Sequence, residues 1–157
     1  MIFDSRHVYH AAFLTHWQDD WHPMEEDEIP EGIGPHEGRE LELMLAGKKP
    51  LAMFGDVIQS DYEWPDAQFE PYVESGVLVK KEFITKVFDG RYDLRRLFYA
   101  LPNEVWRIKK VKALAETSYG GWCDEAAQDC MQIGRLLGYD EADIQTFIRW
   151  VDRDKPR

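Results

Sequence analysis

The 157-residue sequence has little cysteine, little basic charge and no long apolar run. Its two cysteines, Cys123 and Cys130, lie seven apart in "CDEAAQDC". Seven residues of unbroken helix rise about 10 Å, more than the roughly 7 Å between Cα atoms that a disulfide tolerates. Reduced thiols in a cytoplasmic protein are therefore expected. No stretch approaches the roughly 20 apolar residues needed to span a bilayer, which argues against a membrane partner. The opening "MIFDSRH" lacks the basic region and following apolar region of a signal peptide, so none is expected. No internal repeat and no long linker interrupt the chain, and one domain over residues 1–157 is expected.

Basic side chains number 19 against 30 acidic ones, a net charge of −11. The imbalance is local. Residues 1–76 carry four basic and seventeen acidic side chains, residues 77–118 carry ten and five, and residues 119–157 carry five and eight. An acidic chain disfavours nucleic acid and anionic membrane as direct partners. It favours a basic partner, or serves solubility alone.

Complete catalytic and metal motifs are also lacking. Four of the five histidines, His7, His10, His16 and His22, fall in "RHVYHAAFLTHWQDDWH", and His36 follows. His7 and His10 stand i, i+3 on a predicted helix and can approach one ion. A third ligand would have to come from His22, His36, Glu37 or the acidic loop between them, and a zinc site needs three or four in correct geometry. "HEGRE" resembles the zinc-protease HExxH pattern only in part, because Gly38 interrupts it and Glu40 stands where the second histidine belongs. No metal or other cofactor is expected, and the histidines are read as hydrogen-bonded or interfacial.

Cys123 in "YGGWC" stands near a predicted helix N-terminus, where a thiol is acidified. A histidine base oriented by Asp124 or Asp56 would complete a nucleophile. Cys123 also falls on an apolar stripe with Cys130, the simpler reading for a small buried side chain. The glycines of "EGIGPHEGRE" have neither a preceding strand nor the lysine and hydroxyl of a phosphate loop, and they are expected to make turns. The basic belt of Lys80, Lys81, Lys86, Arg91, Arg95, Arg96, Arg107, Lys109, Lys110 and Lys112 is interleaved with aromatics, as in RNA-binding surfaces. Pairing with the acidic first half is the alternative.

Hydrophobic residues make up 44% of the chain, with six tryptophans, seven tyrosines and eight phenylalanines. Such a composition supports a core and leaves aromatics for an interface. Periodicity predicts a helix from Asp4 to about Gln18, then a loop, then a helix over 36–46 with apolar positions Leu41, Leu45 and Ala46, widened by Leu43 and Met44. A central strand is predicted at 51–58, because the run is apolar on both faces. "FEPYVESG" predicts a short helical turn opened by Pro71 and closed by Gly76. Two β-rich runs at 77–88 and 91–101 flank Asp89-Gly90, a hairpin signature. A helix from Glu104 to Glu116 follows, capped by Asn103, with Val105, Ile108, Val111 and Ala115 inward. Helices over 122–137 and from Asp140 onward form an αα-hairpin, the second burying Ile144, Phe147, Ile148 and Val151.

This order predicts an α+β fold: a small antiparallel sheet of about three strands including a hairpin, with packed helices and a C-terminal αα-hairpin. The functional expectation is a small acidic binding protein that recognises a basic protein surface, of the immunity-protein, antitoxin or inhibitor kind. It rests on "WQDDWHPMEEDE" and "SDYEWPDAQF", where acids would steer encounter and aromatics would anchor. The expected interface residues are Trp17, Asp19, Asp20, Trp21, Tyr62 and Trp64. The alternatives are a small enzyme built on the histidine cluster, such as a metal-dependent hydrolase, and a small-molecule-binding domain.

Overall fold

A computed structural model describes residues 32–87, 89–117 and 127–152. The predicted first helix and the acidic loop that follows it lie outside these residues. Within them the order is α1 (Glu40–Leu45), β1 (Leu51–Val57), α2 (Asp66–Glu74), β2 (Val79–Val87), β3 (Tyr92–Ala100), a 3₁₀ turn (Pro102–Glu104), α3 (Trp106–Thr117), α4 (Ala127–Leu137) and α5 (Glu141–Asp152). The class is α+β, and the C-terminal pair α4–α5 is the expected helical hairpin.

The three strands form one antiparallel sheet in the order β1-β3-β2. The β2–β3 hairpin turns through Asp89-Gly90, both with positive φ (54° and 82°), the sign a type I′ turn takes at its two central residues. β3 is thus the central strand. The prediction that 51–58 is central is corrected: β1 pairs only with β3 among the described strands. Its apolar run has another cause, because both of its faces are covered.

Alternation along β3 shows how. Phe98 and Ala100 join a cluster with Leu51, Ile108, Val111, Ile133, Leu137, Ile144 and Phe147, which packs α3, α4 and α5 on one face. Leu97 and Tyr99 point the other way, into a cluster with Met44, Ala52, Phe54, Phe69 and Leu78, which packs α1 and α2. A period of two sends successive side chains to opposite faces, so a strand buried on both sides reads as a continuous apolar run wherever it stands in the sheet.

Three helices begin or face differently from expectation. α1 starts at Glu40, not 36, because Gly38 at φ 70° belongs to the turn before it. Its buried residues are Leu43 and Met44, whereas Leu45 is exposed. With only six residues, α1 takes its orientation from Met44 inserting against Ala52 and Phe54, and periodicity over so short a helix cannot set the face. α2 is longer than the predicted turn and holds Pro71 inside it. Ala67 and Pro71 are both exposed, so the carbonyl left without a donor can be hydrated. The predicted helix 104–116 divides into the 3₁₀ turn and α3, and no side chain caps the 3₁₀ turn. Ile108, Val111 and Ala115 are buried as expected.

The expectation of reduced thiols is also overturned. Cys130 is disulfide-bonded. The 10 Å argument assumed an unbroken helix through both cysteines, whereas α4 is described from Ala127. The only other cysteine in the sequence, Cys123, lies outside the described residues. No helix among the described residues is long and apolar enough to cross a membrane.

Candidate functional site

Two polar clusters stand out, one on each side of the sheet. The first is built from the loop after β1. Ser60 N donates to Val57 O (3.1 Å) and its hydroxyl donates to the same carbonyl at 2.8 Å. The hydroxyl in turn accepts from Tyr62 N at 3.3 Å. One serine therefore closes the turn and fixes where the aromatic stretch begins. Tyr62 and Trp64 then meet edge to face, with ring centroids 4.9 Å apart and planes at 85°. Asp61 and Glu63, between and beside them, are exposed.

Trp64 packs inward against the α1–α2 core cluster, and the Arg95 guanidinium lies 4.3 Å from its ring centroid. Arg95 is itself held at both ends. Its Nη1 and Nη2 donate to Asp66 at 2.9 and 3.0 Å, and its Nε and Nη2 donate to Glu82 at 3.2 Å each. Lys80 closes the ring, 2.6 Å from Asp66 and 3.1 Å from Glu70. Burial pushes the Asp66 carboxyl upward, but hydrogen bonds from Arg95 and Lys80 outweigh it and hold the group below the usual carboxylate range. The Asp66 hydrogen bonds raise both cations. Tyr99 stacks on Phe69 beneath this network (4.1 Å), and burial pushes its phenol up to about 12. The arrangement is a stiff anchor: an aromatic pair whose inner ring is clamped by a cation that two carboxylates immobilise.

The second cluster answers the histidine question for His36. Its ring stacks on Tyr139, with centroids 4.0 Å apart at 16°. Buried Lys49 stands 3.1 Å from His36 Nδ1, donates to Leu137 O at 3.0 Å, and lies 4.3 Å from the Tyr139 ring centroid. Burial and the neighbouring Lys49 lower His36 to about 4. Burial lowers Lys49 to about 8. Leu137 ends α4, and Arg107 donates to the adjacent Leu136 O at 3.2 Å. Two cations from distant segments thus satisfy the carbonyls at this helix end, where the helix dipole favours positive charge. Nδ1 is thus engaged by Lys49 and the ring is held against Tyr139. Asp56, considered as an orienting acid, is buried on β1 and accepts from its neighbour Val57 N.

The other sequence candidates fall into place unevenly. His7, His10, His16, His22, Trp17, Asp19, Asp20, Trp21 and Cys123 lie outside the described residues. The structure brings Tyr62 and Trp64 together. Among the described residues no group of three potential metal ligands gathers. Gly34 and His36 carbonyls accept from Glu37 N and Arg39 N (2.9 Å each), so the glycine-rich stretch makes tight turns. Much of the basic belt pairs with acids: Lys80 and Arg95 with Asp66, Lys86 with Asp93, and Arg107 with Glu104. Sequence reasoning missed the Arg95–Trp64 clamp and the Lys49 plug. No local pattern signalled either, since Arg95 stands beside Arg96 and Lys49 beside Lys48.

The chain matches no family model, no curated protein and no solved structure.

Proposed function

We propose that this chain is a small acidic binding protein that recognises a basic protein surface, in the manner of an immunity protein, antitoxin or inhibitor. The observation that carries the reading is the Tyr62–Trp64 pair, braced by Arg95 and flanked by exposed Asp61 and Glu63. Aromatics held in place lose little entropy on binding, so they make efficient anchors. Exposed carboxylates beside them steer a cationic partner. Trp17, Asp19, Asp20 and Trp21 offer the same residue chemistry, although they lie outside the described residues. The cytoplasmic placement loses its support, since it rested on reduced thiols and Cys130 is disulfide-bonded.

The experiment is a pull-down from the native extract at low and high salt, followed by binding kinetics on the recovered partner. Asp61→Asn with Glu63→Gln should mainly slow association and flatten its salt dependence. Tyr62→Ala should mainly speed dissociation, at a cost of roughly 2 kcal/mol if the ring is an energetic anchor. Binding that ignores both changes defeats the assignment to this loop.

A further inference from the structure

We propose that the outward face of α3 around Trp106 is a separate docking surface, fitted to an acidic segment of a partner protein. Trp106 is 49% exposed, a large apolar ring left in solvent. α3 is amphipathic: Ile108, Val111 and Ala115 are buried against the sheet, while Trp106, Lys109, Lys110 and Ala113 share the exposed side. Lys110 Nζ and Arg107 Cζ each lie 4.8 Å from the indole centroid. The ring is therefore bordered by positive charge as well as exposed.

The pairing pattern of the belt isolates this patch. Lys80, Lys86 and Arg95 are paired with Asp66, Glu70, Asp93 and Glu82. Arg107 is shared between Glu104 and the carbonyls that end α4. No carboxylate among the described residues pairs with Lys109 or Lys110. In a chain of net charge −11, two lysines without a carboxylate partner among the described residues thus stand beside an exposed tryptophan.

Charge complementarity selects the occupant. From Trp106 to Lys110 the helix advances about 6 Å, the distance an extended chain covers in two residues. An acid and an apolar side chain two residues apart would meet Lys110 and Trp106 together, with Lys109 free for a second acid. A long nucleic acid fits less well. Its phosphates continue at short intervals beyond so small a patch and would meet a chain whose first half carries seventeen acids. This surface lies on α3, across the sheet from the Tyr62–Trp64 loop, and its test is independent of that loop.

The test uses the full chain and two labelled probes, a deca-glutamate peptide carrying one central phenylalanine and a decathymidylate oligonucleotide. Binding is followed by fluorescence anisotropy at rising salt. The peptide should bind, weaken with salt, and lose about tenfold in affinity in the Lys109→Ala/Lys110→Ala variant. Lys109→Arg/Lys110→Arg should retain binding, as should Lys81→Ala/Arg91→Ala, which removes cations elsewhere. In Trp106→Ala the central phenylalanine should no longer improve binding over plain deca-glutamate. Thermal unfolding of each variant should match the parent, because every altered side chain is exposed. The proposal is overturned if the peptide does not bind, if it binds the Lys109/Lys110 variant as well as the parent, or if the oligonucleotide binds more tightly through the same residues.

Discussion

Lys49 Nζ stands 3.1 Å from Nδ1 of His36, and an ammonium can only donate. The imidazole must therefore accept at Nδ1 and carry its single proton on Nε2. This contact, with the Lys49 bond to Leu137 O, ties residues 36–49 to the end of α4.

For His36 the consequence is a pH dependence. Its folded value, about 4, lies below the ordinary 6.5. Between these values the unfolded chain binds the proton and the folded chain does not, so stability falls as pH drops from 6.5 toward 4. His36→Gln should flatten that part of the curve. Urea unfolding from pH 7 to pH 4 measures it, and equal slopes in the two proteins would contradict the assignment.

Lys49 behaves in the same sense at the alkaline end. Its folded value of about 8 lies below the ordinary 10.5. The unfolded amine stays protonated through that window while the folded one releases its proton, so the Lys49 contribution to stability rises from pH 8 to 10.5. Lys49→Met should remove this rise. The same variant should move the His36 titration upward, observed by NMR, yet leave it below 6.5, because burial outranks Lys49 among the causes of its shift.

Asp66 accepts from Arg95 and Lys80 at once. Asp66→Asn should destabilise the protein by about 1–2 kcal/mol, a value for charge-assisted hydrogen bonds at a partly exposed site. A double-mutant cycle with Arg95→Met should show that most of the loss is shared. Its depressed carboxyl adds stability that is present above the ordinary carboxylate range and lost as pH falls through the folded value. Trp64 fluorescence should broaden or shift in the variant, since the cation braced against its ring is released.

Gly138 and Gly47 both end helices with positive φ, 85° and 69°. A Cβ at Gly47 would meet nothing, whereas one at Gly138 would collide with the Pro50 ring. Gly47→Ala should cost about 1 kcal/mol from backbone strain alone. Gly138→Ala should cost clearly more, because Pro50 leads directly into β1. Thermal or urea unfolding of the two variants separates strain from collision.

Much of the architecture was legible. Asp89-Gly90 between β-rich runs marked the hairpin, and the stripe Ile144, Phe147, Ile148 marked α5, because each pattern arises from a single period in one short segment. The site was legible in part. The aromatic-acidic loop stood out, but its bracing did not, since Trp64 and Arg95 lie 31 positions apart and no local rule joins them. His36 drew attention as a possible ligand, although its partners were Lys49 and Tyr139.

By itself the sequence determined the class, the hairpin, most of the inward faces of α3 and α5, and the acidic character, because periodicity and turn chemistry act over a few residues. Only the tertiary structure decided that β3 rather than β1 is central, that Met44 rather than Leu45 enters the core, and that Lys49 is buried at the end of α4. It also decided which acids pair with Lys80, Lys86, Arg95 and Arg107. Those outcomes depend on which surfaces meet after the chain has folded back on itself. An apolar run bears the same pattern whether a neighbouring strand or a helix covers it, and a lysine bears none that distinguishes solvent from a helix terminus.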